Sequence, residues 1–416
     1  MDDSRNHWLY LALLILSGEA IFILPFVITR IFRPTVMAAF EVNNVELGIC
    51  FSIYGIVAMV SYLLGGPIAD KYPPKKLIAV ALCLTALAGF VYAQFPDLWV
   101  LQLLYGWWGF TTIFLFWAPM IKATRVWGGA NSQGKAFSFL DGGRGLTGAL
   151  FGLLGVLIFT LVLPETAGNE SEEAKRVAFG RVIYVSSGLI LLIGFLVWKF
   201  MELPDQKETQ EVERISWHQV KEVLQLRSVW LLMLIICCGY VGYKITDVIS
   251  LYAEEVMQMD MVQSAQVGTF LQFLRPATGI ALGLIVDRFK ITLILVLGFI
   301  VCMVGGLLFG LGIITPTTSI LFFISVFIVG VGVYACRALY FSILRIGRIP
   351  LAFTGTAVGL ISLIGYTPDI FAGPAYGYLL DTYPGAVGHQ LVFWMLFVFS
   401  ALGTFFSILY HRKYNR

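Results

Sequence analysis

The sequence predicts an all-α polytopic membrane protein of twelve transmembrane helices, arranged as two pseudo-symmetric bundles of six. Three observations lead there. Apolar stretches close to the twenty or so residues that cross a bilayer recur along the whole chain. Hydrophobic residues make up 58% of it and charged residues 13%, too few charges to cover a soluble protein of 416 residues. One polar segment also occurs twice. Gly66-Pro67-Ile68-Ala69-Asp70-Lys71, with Lys75 and Lys76 beyond it, returns as Gly283-Leu284-Ile285-Val286-Asp287-Arg288. In each copy a glycine stands four positions before an aspartate, a base follows directly, and an apolar run has just ended.

In order, the spans are expected at 8–29, 45–69, 77–95, 98–121, 137–162, 181–200, 229–253, 264–286, 291–313, 319–344, 352–379 and 390–410. The first follows Met1-Asp2-Asp3-Ser4-Arg5, which lacks the basic start of a cleaved signal, so it is read as a span that Pro25 bends. The fourth is crowded with aromatics, and the fifth carries a close-packing stripe at Gly145, Gly148, Gly152 and Gly155. Pro368, Gly373 and Pro374 predict a broken helix in the eleventh. Residues 1–200 form the N-terminal bundle, 201–227 a polar linker and 228–416 the C-terminal bundle. In the linker, Ser216 three residues before Gln219 is a capping-box signature, and Val220, Val223 and Leu224 follow at helical spacing, so an interfacial helix is expected.

Lysine and arginine concentrate in alternate loops. Lys71, Lys75, Lys76, Lys122, Arg125, Arg288, Lys290, Arg345 and Arg412 fall on one side with most of the linker bases, while Arg30, Arg33, Lys175, Arg176 and Arg181 fall on the other. This bias places both termini and both copies of the repeated segment in the cytoplasm, for a protein of the plasma or inner membrane. A net charge of +3 without a basic stripe argues against nucleic acid as a partner. The 6 cysteines lie in apolar runs without a C-x-x-C, and the 4 histidines fall at span ends, so neither a metal site nor a cofactor is expected.

Overlaying the halves through the repeated segment adds a second correspondence. Arg125 at the inner end of span four answers Arg345 at the inner end of span ten, so each half offers an acid and an arginine at one face. A six-span repeat suits a secondary transporter with its site on the pseudo-symmetry axis. With Gly66, Asp70, Lys71 and Lys75 on a G-x-x-x-D-R/K loop after span two, and Asp287 and Arg288 on a weaker second copy, the chain resembles the major facilitator superfamily over essentially its full length. Within that family it resembles the YihN-type branch and the organophosphate-antiporter side. The resemblance implies alternating access, with two halves rocking about a midplane site lined by spans one, four, seven and ten. It also implies a cytoplasmic latch of Gly66, Asp70 and Lys71 with Arg125, and of Gly283, Asp287 and Arg288 with Arg345. One departure concerns coupling: Gln102, four residues before Gly106, stands where many proton-driven members carry an arginine.

Eight charged residues fall within the predicted spans: Glu19, Asp141, Arg144, Lys244, Asp247, Arg275, Arg337 and Asp369. A charge in hydrocarbon is costly, so each must face a cavity or a partner. Four acids and four bases permit full mutual pairing, and every residue is weighed against that. Glu19 sits about 16 Å into span one at 1.5 Å per residue, as a proton acceptor, a substrate ligand or the partner of a base. Arg275, at mid-depth before Pro276, is suited to grip a carboxylate or phosphate. Its counterpart in span two is Ala58, so a symmetric two-arginine clamp is absent. Lys244 and Asp247 share one face of span seven. They either pair with each other, or Lys244 holds an anion while Asp247 serves as a gate or proton site. Asp141 and Arg144 lie shallower, among glycines, and are expected to make an inner gate or an interhelix pair. Arg337 is placed at the inner cavity, Asp369 at a gate, and Trp117 and Tyr243 as cavity-lining aromatics.

These residues favour a secondary active transporter of a small polar solute, with the cations Arg275, Lys244 and Arg337 favouring an organic anion. A P-loop is absent, so an ion (proton) or exchange gradient is expected to drive it. The alternative is proton-linked transport of a neutral or cationic solute held by Glu19. A polytopic enzyme would need a nucleophile–base pair or a metal at depth, and a transport-dead sensor would retain eight costly charges for no purpose. The expected partners are the small-molecule substrate and the lipid bilayer, with the protein as a monomer.

Overall fold

The computed structural model describes residues 2–128, 133–163, 172–201, 217–285, 288–340, 342–347 and 354–414, and among these there is no strand. The helices are α1 (Trp8–Ile31), α2 (Asn44–Lys71), α3 (Pro74–Tyr92), α4 (Leu98–Gly128), α5 (Gln133–Val162) and α6 (Glu172–Phe200). They continue with α7 (Arg227–Glu255), α8 (Met261–Ile285), α9 (Ile291–Gly310), α10 (Pro316–Leu339), α11a (Thr354–Gly365), α11b (Pro368–Thr382) and α12 (Ala386–Tyr414). By length and composition, 10 helices among the described residues can cross a membrane. The remaining two expected spans are α8 and the broken pair α11a–α11b.

Local chemistry explains the irregularities. Pro25 lies in a π-helical turn, Ile23–Val27, which accommodates the missing N–H and the bulk of the ring. A capping box starts α2: the Asn43 side chain accepts from the Glu46 amide at 2.8 Å, and the Glu46 carboxylate accepts from the Asn43 amide at 2.9 Å. The break in the eleventh span falls just before Pro368, which occupies the opening turn of α11b, where its missing N–H costs nothing.

Two expectations about segment ends are corrected. The first helix runs on to Ile31, so Arg30 lies inside it rather than in a loop, and both Arg30 and Arg33 are buried. Residues 66–71 are still helical and only Tyr72 and Pro73 separate α2 from α3, so the first copy of the repeated segment is a helix end more than a loop. In the linker, a helix spans Trp217–Gln225; Ser216 lies outside the described residues.

Buried hydrophobic residues form two clusters, one built between Tyr10 and Met201 with Ala265 of α8 joining it, and the other between Val223 and Tyr410. Large apolar side chains also cover the outside: Leu103 is 63% exposed, Leu161 75%, Leu284 72% and Ile320 79%, a surface that only lipid can solvate cheaply. The two clusters meet where α2 packs on α11b and α5 on α8. Glycines permit this approach. A Cβ on Gly48 would stand 2.5 Å from the carbonyl carbon of Gly373, and one on Gly377 would stand 2.5 Å from the Asn44 oxygen. Both contacts lie at the face opposite residues 66–76. We call that opposite end the far face and the other the basic face; the far face is closed.

Because the side chain at Gly48 would strike backbone, Gly48→Val is expected to disfavour this closed arrangement specifically. Overpacking of about 1–3 kcal/mol is enough to shift a two-state equilibrium by roughly 5- to 160-fold. Hydrogen exchange should rise at the start of α2 and in α11b and stay unchanged in α3 and α9; unaltered protection at the first two would refute this packing argument.

Candidate functional site

Between the two clusters lies a cavity of about 70 Å³, room for a few waters at roughly 10–15 Å³ each. Its wall carries Glu19, Arg144, Lys244, Arg275, Arg337 and Asp369, set among the rings of Trp117, Tyr240, Tyr243 and Tyr366. Six of the eight predicted interior charges thus converge on one space, together with both predicted aromatics.

The first charge group links α1, α5 and α8. The Arg275 Nη1 donates to Glu19 Oε1 at 2.9 Å, and Arg144 Nε lies 3.2 Å from Glu19 Oε2. Arg275 Nη2 donates to Asp141 Oδ1 at 3.3 Å. Asp141 and Arg144 are three residues apart on α5, and each is ion-paired with a residue of another helix. The glycine stripe makes room for these charges. A Cβ on Gly148 would lie 3.1 Å from Glu19 Oε1, and one on Gly18 would lie 3.1 Å from Arg144 Cδ. Glu19, Arg144 and Arg275 are buried, whereas the Asp141 side chain is 56% exposed.

The second group links α1, α7 and α11b. Arg30 Nε donates to Asp247 Oδ1 at 2.6 Å and its Nη1 to the Tyr243 hydroxyl at 3.0 Å. Lys244 Nζ stands 3.3 Å from Asp247 Oδ2 and 3.4 Å from Asp369 Oδ1. The Tyr240 hydroxyl completes the Asp369 environment at 3.1 and 3.2 Å. Phe26 and Phe51 present their ring faces to the Lys244 ammonium at 4.6 and 4.5 Å, which offsets part of its lost hydration. Nearer the far face, Ser250 donates to the Arg30 carbonyl, and Asn44 joins Arg33 to Asp381. All of this closes the far face.

Arg337 differs from the other bases. Its guanidinium carbon lies 3.9 Å from the centre of the Tyr243 ring, and among the described residues it has no carboxylate at ion-pair distance. Its Nη1 is buried without a hydrogen-bond partner. The balance of four acids and four bases expected from the sequence is therefore corrected. Arg30 joins the charges around the cavity, where five bases face four carboxylates; Arg33, buried at the far face, reaches Asp381 only through Asn44.

The sequence overlooked Arg30 because it stands at the margin of a predicted span, but a signal was present. Arg30 and Asp247 are 217 residues apart, the same offset that brings Gly66 onto Gly283. The pair thus joins equivalent positions of the two halves across their pseudo-symmetry axis. Asn44 and Asp381 left no comparable trace. Of the predicted latch, Asp287 lies outside the described residues, as do the side chains of Asp70 and Arg345. Arg125, Lys71 and Arg288 are exposed, Lys71 lies over the Tyr72 ring, and Lys122 donates to the Ala69 carbonyl at 3.0 Å, tying the basic-face ends of α4 and α2 together.

A multi-pass helical bundle closed at one face around a central charged cavity has the architecture of a membrane transporter. The chain belongs to the major facilitator superfamily, whose sequence profile matches residues 11–368. Its relatives include the inner membrane protein YqcE of Escherichia coli strain K12, 27% identical over 99% of this chain and 96% of its own length. The inner membrane protein YihN of the same organism is 24% identical over 99% and 97%. Among solved structures, a bacterial homologue of the human lysosomal transporter Spinster superposes with a TM-score of 0.74 at 15% identity, covering 98% of this chain and 97% of that one. The nucleoside transporter NupG superposes at 0.69 and 15%, covering 98% and 99%. At these identities the solved structures share the fold.

Proposed function

We propose that this protein moves a small organic anion across the inner membrane by alternating access, driven by an ion or exchange gradient, as a monomer with both termini in the cytoplasm. Two domains, 1–200 and 228–416, rock about the central cavity. The observation that carries the reading is the surplus cation: Arg337 faces the cavity without a carboxylate, stacked on Tyr243. Arg337 is half-buried, with Nη1 fully buried and unpartnered; a charge so placed without a counter-ion is costly, and an anionic substrate supplies the missing partner. The alternative, a neutral or cationic solute held by Glu19, is less well served, because Arg275 and Arg144 already engage both Glu19 oxygens. The test is thermal stabilisation of the purified protein by a panel of carboxylates, sugar phosphates, neutral sugars and amines. Stabilisation by the anions alone is expected; stabilisation only by neutral or cationic compounds would overturn the reading.

The exposed Asp141 fits a gating role in the same scheme. It holds Arg275 through one 3.3 Å contact at the open side of the cavity, so an arriving carboxylate or phosphate can take its place. Asp141→Asn removes that competitor, and anion affinity should rise by up to about tenfold, worth 1.4 kcal/mol. A fall in affinity would instead make Asp141 a substrate or proton ligand.

We further propose that Asp70 with Arg125, and Asp287 with Arg345, latch the basic face when the far face opens. Exchanging the charges, Asp70→Arg with Arg125→Asp, should restore a substantial part of the transport that either single reversal removes. Uptake by the double variant no better than by the singles would dismiss that pairing.

A further inference from the structure

We infer that the groove between the start of α7 and the end of α12 binds the headgroup of a diacidic phospholipid in the leaflet at the basic face. The groove measures about 600 Å³ and is lined by Arg227, Trp230, Leu231, Leu409, Arg412 and Lys413. It lies on the outside of the second cluster, away from the central cavity. Arg227, Arg412 and Lys413 are exposed, and none of the three forms an ion pair among the described residues. Three unpaired cations from two adjacent helices therefore converge on one concavity, with no acid lining it.

The walls identify the occupant. The Trp230 indole N–H donates to the Leu224 carbonyl at 2.8 Å, which fixes the ring where the amphipathic Trp217–Gln225 helix joins α7. Tryptophan in such a place belongs at headgroup depth. One turn deeper the groove continues as an apolar lane. Trp230 and Leu234 are four residues apart on α7, as are Phe405 and Leu409 on α12, and they are 48%, 40%, 55% and 38% exposed. Free phosphate would satisfy the cations and leave this lane empty, and a zwitterionic lipid would fill the lane and leave the cations unneutralised. A lipid with two phosphodiesters satisfies both, and basic pockets between transmembrane helices recognise such headgroups.

The inference does not depend on what the central cavity transports, and its readout involves no transport. The purified, delipidated full chain is titrated with cardiolipin, phosphatidylethanolamine or inorganic phosphate, followed by native mass spectrometry and thermal shift. Cardiolipin should bind and raise the melting temperature, and the other two should do neither. Arg412→Gln with Lys413→Gln should weaken cardiolipin about thirty-fold, since each base near an anionic surface contributes about five-fold. Lys75→Gln with Lys76→Gln, removing equal charge from the same face, should bind as the wild type does. Trp230→Ala should shorten lipid retention with all three cations in place. An undiminished groove variant, an equal loss in the Lys75 and Lys76 variant, or an equal shift by inorganic phosphate would each overturn the assignment.

Discussion

Arg337→Gln is expected to lower anion affinity by about 30-fold to several thousand-fold without lowering the melting temperature. Removing one member of a desolvated charge pair costs about 2–5 kcal/mol, and on the proposed reading Arg337 gains its partner only when the anion arrives. With Arg337 gone, the remaining cations Arg30, Arg144, Lys244 and Arg275 are matched by Glu19, Asp141, Asp247 and Asp369. An anion then enters a site that is already neutral. The same substitution strands no carboxylate, so the unliganded protein keeps its stability or gains a little. This separates a binding role from a structural one, because a structural arginine would lower the melting temperature when removed. Arg337→Lys should recover only part of the affinity, since an ammonium neither stacks flat on Tyr243 nor grips a carboxylate with two donors. Undiminished affinity in Arg337→Gln, read by calorimetry on whichever anion stabilises the wild type, would remove Arg337 from the site.

The second large effect is expected at the far face. Asp247→Asn leaves Arg30, which is 1% exposed, without its carboxylate, and takes one of two carboxylates from Lys244. Breaking a buried pair from one side costs about 3–5 kcal/mol, because the remaining charge stays desolvated. The far-face-closed arrangement should be destabilised by that amount, visible as a lower melting temperature or as faster exchange in Arg30–Phe40 and α11b. Adding Arg30→Gln should return much of the loss, since Lys244 keeps Asp369 at 3.4 Å. A double-mutant cycle gives the coupling directly, and additive single effects would mean that the pair does not hold this face. The contrast between the two experiments is informative. The Arg337 variant is expected to lose affinity and keep the fold, and the Asp247 variant to lose the conformation and disturb affinity only through it.

Much of the site was legible because hydrocarbon makes charge conspicuous. Glu19, Lys244, Arg275 and Arg337 each interrupt an apolar run, and all of them line the cavity. Their partnerships were not legible. Sequence spacing offered Lys244 and Asp247 to each other, since residues three apart on a helix share a face, but named no partner for Asp141 or Arg144. That pair exists, and Lys244 is shared with Asp369 as well. Arg275 reaches Glu19 across 256 residues of chain, a choice made by how α1 and α8 approach each other. Arg30 escaped notice for a smaller reason. The end of a span is poorly defined in sequence, and two additional residues of helix decide whether that arginine faces water or the interior.

The amino-acid sequence by itself determined that the chain crosses a membrane many times and that its two halves repeat, and the motif after span two made it resemble the facilitator transporters. The spans and the repeat follow from local physics: each apolar run must satisfy its own backbone within a helix, and a duplicated segment keeps its pattern wherever it folds. Only the tertiary structure decided which charges neutralise one another, that Arg30 completes the set, and that Arg337 remains over. Ion pairing depends on contacts of about 3 Å between helices distant in sequence. Such distances are set by packing at positions such as Gly18, Gly48 and Gly148, whose missing side chains let the helices and their charges meet.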